Sequence, residues 1–216
     1  MPFDFYSKLL QGTLYSFFVA GSALLLCVPF SILVALLLRK NDPLRRMLLF
    51  VLDVFIALPN QILLLTLAGV LGGSLSALLL SVFITQVPGC IRHFRVHFIR
   101  AYGEVHVEAA NALGIGRVRL FFLHVLPRLW APLSVYSISL LKRVILMEAL
   151  LNFLGLGFDP LSPSLGRLIS EGRSALFWNP VYFLAPVIIL VLCLYVLQSV
   201  SDRFSLLFRS HGLRYL

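Results

Sequence analysis

The sequence predicts an all-α integral membrane protein, a bundle of five spanning helices. Three observations carry that prediction. The 216 residues are 60% hydrophobic with a mean hydropathy of +0.96, more apolar surface than a soluble domain of this size can hide. Several runs approach the twenty apolar residues that a bilayer-crossing helix needs. The charged residues, 12% of the chain, gather in short stretches between those runs.

Residues 1–12 read as a short external segment, without the basic lead-in and small-residue cleavage site of a removable signal peptide. The transmembrane domain covers residues 13–200, with spans at about 13–38, 47–71, 75–91, 133–154 and 181–200. Pro29 lies inside the first span, a proline that neighbouring helices can accommodate. Residues 39–46 form a basic hairpin loop, and Gly72-Gly73-Ser74 turns the second span, with Asp53 and Pro59, into the third. A long polar loop occupies 92–128, and the connection over 152–180 is broken by Gly155, Gly157, Pro160 and Pro163. Residues 201–216 form a polar tail.

Basic residues set the orientation. Thirteen of the eighteen lie in the 39–46 loop, the 92–128 loop and the tail, against Lys8, Arg167 and Arg173 on the other side. By the positive-inside rule, the long loop and the tail are cytoplasmic and the N-terminus is external. The net charge of +9 therefore reflects topology and anionic lipid, not nucleic acid.

The bundle is organised around Glu104–Pro127, EVHVEAANALGIGRVRLFFLHVLP, the longest polar helix-competent stretch. Helix-favouring residues run up to Gly114 and Gly116, where a cap and a bend are expected. A second short helix follows from Arg117 until Pro127 and Pro132 disturb it. Glu108-Ala109-Ala110, three residues, Gly114, and an apolar stretch closing on Leu126-Pro127 resemble the EAA loop of ABC importer membrane subunits. His124, standing where a hydrophobic residue is usual, resembles the dipeptide/oligopeptide/nickel branch. Two further stretches extend the resemblance: Asp53 to Pro59 is similar to the family's Asp-containing helix ending in Leu-Pro, and Glu148 to Gly157, with the Pro160–Arg173 segment after it, is similar to the branch's external segment.

The resemblance implies a type I ABC importer permease-like helical bundle with a cytoplasmic EAA coupling loop, in the bacterial cytoplasmic (inner) membrane. Glu108, Ala109, Ala110, Gly114, Arg117, Leu126 and Pro127 would couple to a cytoplasmic ATPase. ATP and Mg would sit on that partner, with no cofactor on this chain. A second homologous permease subunit, forming a heterodimer, and an extracytoplasmic solute-binding protein would complete the importer. The substrates implied are peptides, nickel or other metal chelates, or similar small solutes. Relatives in this branch usually carry one more N-terminal helix, so the five-helix count is either natural or a truncated start.

Ionisable groups inside spans mark pathway or gate candidates, since each costs about 3 kcal/mol to bury in a bilayer. Asp53, Lys142, Arg143 and Glu148 are those groups, and Gly155 and Gly157 bend the external segment. Lys142 and Arg143 lie off the Glu148 face of the helix, so Asp53 or a partner subunit's acid is their expected counter-ion. His93 and His97 have a spacing that can ligate metal, but no carboxylate or cysteine completes a set. Solvated loop histidines are the simpler reading. Cys27, Cys90 and Cys193 form no CxxC pair and read as inert packing residues. No Walker A sequence and no catalytic spacing is present, so energy must come from other chains. A stand-alone carrier or channel using Asp53 and Glu148 as ion sites is the alternative, but no internal repeat supports it.

Overall fold

The computed structural model describes residues 2–39, 42–157 and 163–210. Nine α-helices and one π turn are found among them: α1 Pro2–Leu37, α2 Pro43–Ala57, α3 Asn60–Leu71, α4 Leu75–Tyr102, α5 Val105–Ala112, α6 Arg117–Leu120, α7 Leu126–Phe153, α8 Leu165–Ala175 and α9 Val181–Ser210, with the π turn at Phe121–Val125. There is no strand among the described residues. Lys40, Pro160, Arg214 and the tail beyond residue 210 lie outside them, as does the Arg117 side chain.

The centre of the bundle is α1, α4 and α7. Ala20, Ala23 and Ala35 on α1 are buried, and small side chains of this kind let helix backbones approach closely where no hydrophobic effect separates protein from lipid. Phe94 and Phe98 fill the middle of the core from α4. The Phe30 and Phe83 rings meet at 5.0 Å across α1 and α4. At its end, α1 is fastened to α4 twice: Arg95 donates from Nε to the Leu38 carbonyl at 2.8 Å, and the Arg39 guanidinium lies 3.5 Å from the centre of the Tyr102 ring. The first bond satisfies one of the carbonyls that a helix end leaves open.

Three of the expected spans coincide with helices long and apolar enough to cross a bilayer: α1, α4 and α9. The second does not run straight. Leu58 is extended ahead of Pro59, as the ring of a following proline demands, and α2 meets α3 at 90°. It is either one broken span or a re-entrant pair. The fourth expected span falls in α7, whose 28 residues reach about 42 Å but which carries Lys142, Arg143 and Glu148 and is not among the helices apolar enough to count as a span. Three or four candidate spans therefore stand among the described residues where five were expected. Helix α4 runs through Tyr102, so residues 92–102, expected in the loop, are helix.

The connection between α7 and α9 is also more ordered than its glycines and prolines suggest. Ser164 caps α8 by accepting from the Arg167 N–H at 3.2 Å, and α8 lies against α7, α9 and α1. Two glycines permit this. A Cβ on Gly166 would stand 2.1 Å from the Ala149 carbonyl oxygen, and one on Gly172 would stand 2.5 Å from that of Tyr182.

Candidate functional site

The stretch singled out in the sequence forms an elbow at one end of the bundle. α5 ends in a Schellman cap: Gly114 has φ +80°, the Ile115 N–H reaches the Ala110 carbonyl at 3.3 Å, and the Gly114 N–H reaches that of Asn111 at 3.1 Å. This is the conformation that glycine adopts at little cost. Gly116 has no such φ, so the bend rests on Gly114 alone. α6 then passes through the π turn directly into α7. Pro127 and Pro132 do not end that helix: Pro127 sits in its first turn, where its missing N–H costs nothing, and Pro132 is accommodated further along. The expected disturbance is displaced to Phe121–Val125, a π turn such as often occurs at functional sites.

The elbow is anchored and bare at the same time. Val107, Ala110, Leu120 and Val125 are buried against the bundle. Glu104 pairs with Arg128 at 2.8 Å, which closes the base of the hairpin. On the outer side Val105 is 82%, Leu113 83% and Val118 72% exposed, with Glu108, Ala109 and Gly114 also uncovered. Apolar groups this bare on a polar segment are what a protein-contact or membrane-contact surface presents. Leu126 is half-buried and Pro127 exposed at the foot of α7.

The remaining candidates are not brought together. Asp53 pairs with Arg92, which corrects the expected partnership with Lys142 or Arg143. Lys142 donates to Gln198 on α9. Arg143 donates from Nε to Gln86 Oε1 at 3.2 Å and lies 4.9 Å from the centre of the Tyr136 ring. Glu148 is fully buried and takes a hydrogen bond from Ser16 at 2.7 Å and another from Asn152, with no ion pair to it among the described residues. Gly155 has φ +76° and closes α7 in a second Schellman cap, with the Leu156 N–H on the Leu151 carbonyl at 3.0 Å. Gly157 lies against Asn152 with no room for a Cβ.

Sequence reasoning missed a groove. His93, His97 and Arg100 on α4 face Ser205 and Phe208 on α9, and α7 from Arg128 to Ser139 forms the floor of a cavity of about 640 Å³. The histidines are half-buried in a helix and not solvated in a loop: His93 stacks on Tyr136 at 4.1 Å and meets His97 at 4.7 Å. No group of three or more metal-ligating side chains occurs among the described residues.

Residues 27–209 match the family model described as binding-protein-dependent transport system inner membrane component. The chain belongs to that family. This inner membrane component is 29% identical to the dipeptide transport system permease protein DppC of Haemophilus influenzae, over 79% of its own length and 58% of the relative's. It is likewise 29% identical to the di/tripeptide permease protein DppC of Pseudomonas aeruginosa, over 79% and 56%. A glutathione transport permease protein, GsiD of Salmonella typhimurium, is 26% identical over 73% and 52%. The chain thus spans somewhat over half the length of these curated relatives. Its fold is that of a chain in an inward-facing MetNI methionine ABC transporter, with a TM-score of 0.74 over 93% of this chain and 95% of that one, at 18% identity. The all-helical type I importer permease architecture is therefore the fold of this protein.

Proposed function

We propose that this chain is a transmembrane permease subunit of an ATP-driven importer for short peptides. The observation that carries the reading is the elbow, a rigidly anchored segment whose outward apolar side chains Val105, Leu113 and Val118 lie bare beside Glu108. A cytoplasmic ATPase subunit is the partner that covers them, and it holds the ATP and Mg. The basic residues of the surrounding segment put the elbow on the cytoplasmic side. A second, homologous permease subunit supplies the other half of the pathway, and an extracytoplasmic binding protein delivers the solute.

The mechanism follows from continuity. α6, the π turn and α7 form one uninterrupted helical rod from Arg117 to Phe153. A displacement of the elbow is therefore carried to the far end of α7, where Gly166 and Glu148 hold α8 against it. Rocking of that rod closes one side of the bundle while opening the other, which is alternating access. Peptide is favoured over nickel because the relatives named above handle dipeptides, tripeptides and glutathione. The stand-alone carrier reading is set aside: Asp53 is neutralised by Arg92, and Glu148 is sealed among neutral donors.

The test is co-purification with an ATPase subunit encoded beside it, together with uptake of a labelled tripeptide. Gly114→Pro is expected to abolish both. Uptake that continues undiminished in cells without that ATPase would overturn the reading.

A further inference from the structure

The groove between α4 and α9 has a length, a volume and a charge distribution that together describe its occupant. From Arg128 to Ser139, the α7 floor rises about 16 Å. An extended peptide advances about 3.3–3.6 Å per residue, so up to four residues fit along it. The cavity of about 640 Å³ falls within the range of about 300–1,000 Å³ typical of small-ligand sites.

Both ends of the groove are polar and its middle is apolar. At the elbow end, Arg100 is exposed and forms no ion pair among the described residues, while neighbouring Arg128 is already taken by Glu104 at 2.8 Å. At the other end are Ser139, Tyr136 and His93. Leu129, Pro132 and Val135 lie between. A phospholipid, with one polar end and a long apolar one, would leave the far polar end facing hydrocarbon. A short peptide has a charged group at its end and amides along its length. It fits both.

We propose that this groove is a binding site for a short peptide, whose C-terminal carboxylate is held by Arg100 beside His97. The peptide runs up the α7 wall past the Tyr136 ring, with its amides meeting Ser139. Arg100 is suited to the task because a guanidinium grips a carboxylate through two parallel hydrogen bonds. The proposal rests on the peptide-importer reading and adds to it a specificity residue on the permease itself, separate from any choice made by the binding protein.

The experiment uses the assembled importer, without binding protein and without nucleotide, in phosphatidylcholine nanodiscs. Ser139→Cys is introduced together with Cys193→Ser; Cys27 and Cys90 are buried and stay unlabelled. The readout is the rate at which a polar thiol reagent labels position 139. Millimolar trialanine is expected to slow labelling about tenfold, and trialanine amide, which lacks a charge-assisted contact whose loss weakens binding about tenfold or more, is expected to have little effect. Arg100→Gln removes the protection and Arg100→Lys keeps part of it. An unchanged labelling rate without peptide verifies that each variant is folded.

Equal protection by the amide, or full protection in Arg100→Gln, overturns the proposal. So does slowing by phosphatidylglycerol alone with no further effect of trialanine, which would make an anionic lipid the occupant. Labelling is read without turnover, so peptide protection in an assembly incapable of ATP-driven uptake would sink the importer reading and leave the groove assignment standing.

Discussion

Ser16 on α1 donates its hydroxyl to the carboxylate of Glu148 on α7 at 2.7 Å, in a place shut off from solvent on both sides. Asn152, one turn along α7, donates to the same carboxylate, and Ser164, the cap of α8, joins it. Three helices thus meet on one acidic group. Buried polar groups are tolerable only when hydrogen-bonded, and an uncompensated one is expensive. The cluster therefore specifies how α1, α7 and α8 fit together and cannot be dismantled piecemeal.

Removing single members should rank accordingly. Ser16→Ala is expected to cost about 1–2 kcal/mol. Glu148→Ala, which strands the donors of all three partners, is expected to cost about 3 kcal/mol or more. Glu148→Gln keeps an oxygen acceptor and should cost least. Denaturant unfolding of the purified chain in detergent measures the order; a Gln variant as unstable as the Ala variant would mean that both carboxylate oxygens, and not the shape that Gln preserves, hold the cluster together.

This cluster marks what was legible in the sequence. Glu148 stood out because an acid in an apolar run is costly, and Asn152 lies four residues on, on the same helix face. Ser16 and Ser164 were invisible, since serines in helices and loops are common and only the tertiary fold brings them to residue 148. The same division holds elsewhere. Apolar runs revealed α1, α4 and α9, and the glycine at 114 revealed the elbow. The 90° break at Leu58-Pro59 was hidden because a proline within a membrane span is as compatible with a mild kink. The Arg92 partner of Asp53 was missed because residues 92–102 read as loop. The groove was missed because its walls come from three helices far apart in sequence.

Close packing of α8 gives a sharper contrast. Gly166→Ala places a methyl 2.1 Å from the Ala149 carbonyl oxygen, and neither backbone can move without parting α8 from α7. Gly21→Ala, in the interior of α1 with nothing within 4 Å, removes a flexible residue from a helix and should stabilise by about 0.5–1 kcal/mol. Thermal unfolding should show opposite signs for the two alanines, with uptake lost only for Gly166→Ala.

At the elbow, the two glycines should also separate. Gly114 holds φ +80°, a region where a Cβ costs about 1–2 kcal/mol, whereas Gly116 has negative φ and open space around it. Gly114→Ala is expected to weaken association with the ATPase partner several-fold, and Gly116→Ala to leave it unchanged. Pull-down from membranes measures both, and equal effects would mean that the bend does not depend on the Gly114 cap.

The ion pair between Asp53 and Arg92 permits the most discriminating exchange. Helix α2 has no fully buried residue, and this pair is its charged tie to α4, with Asp53 45% and Arg92 56% exposed. Partly exposed pairs contribute about 1 kcal/mol or less, so Asp53→Asn and Arg92→Gln should each lower stability modestly. The double exchange Asp53→Arg with Arg92→Asp should recover it, because the attraction is indifferent to which helix carries which sign. Exchanging Asp53 with Lys142 should not, since Lys142 is engaged with Gln198 on α9. A double-mutant cycle on unfolding, with uptake as a second readout, decides it: rescue by the Lys142 exchange and not by Arg92 would place α2 elsewhere on the bundle.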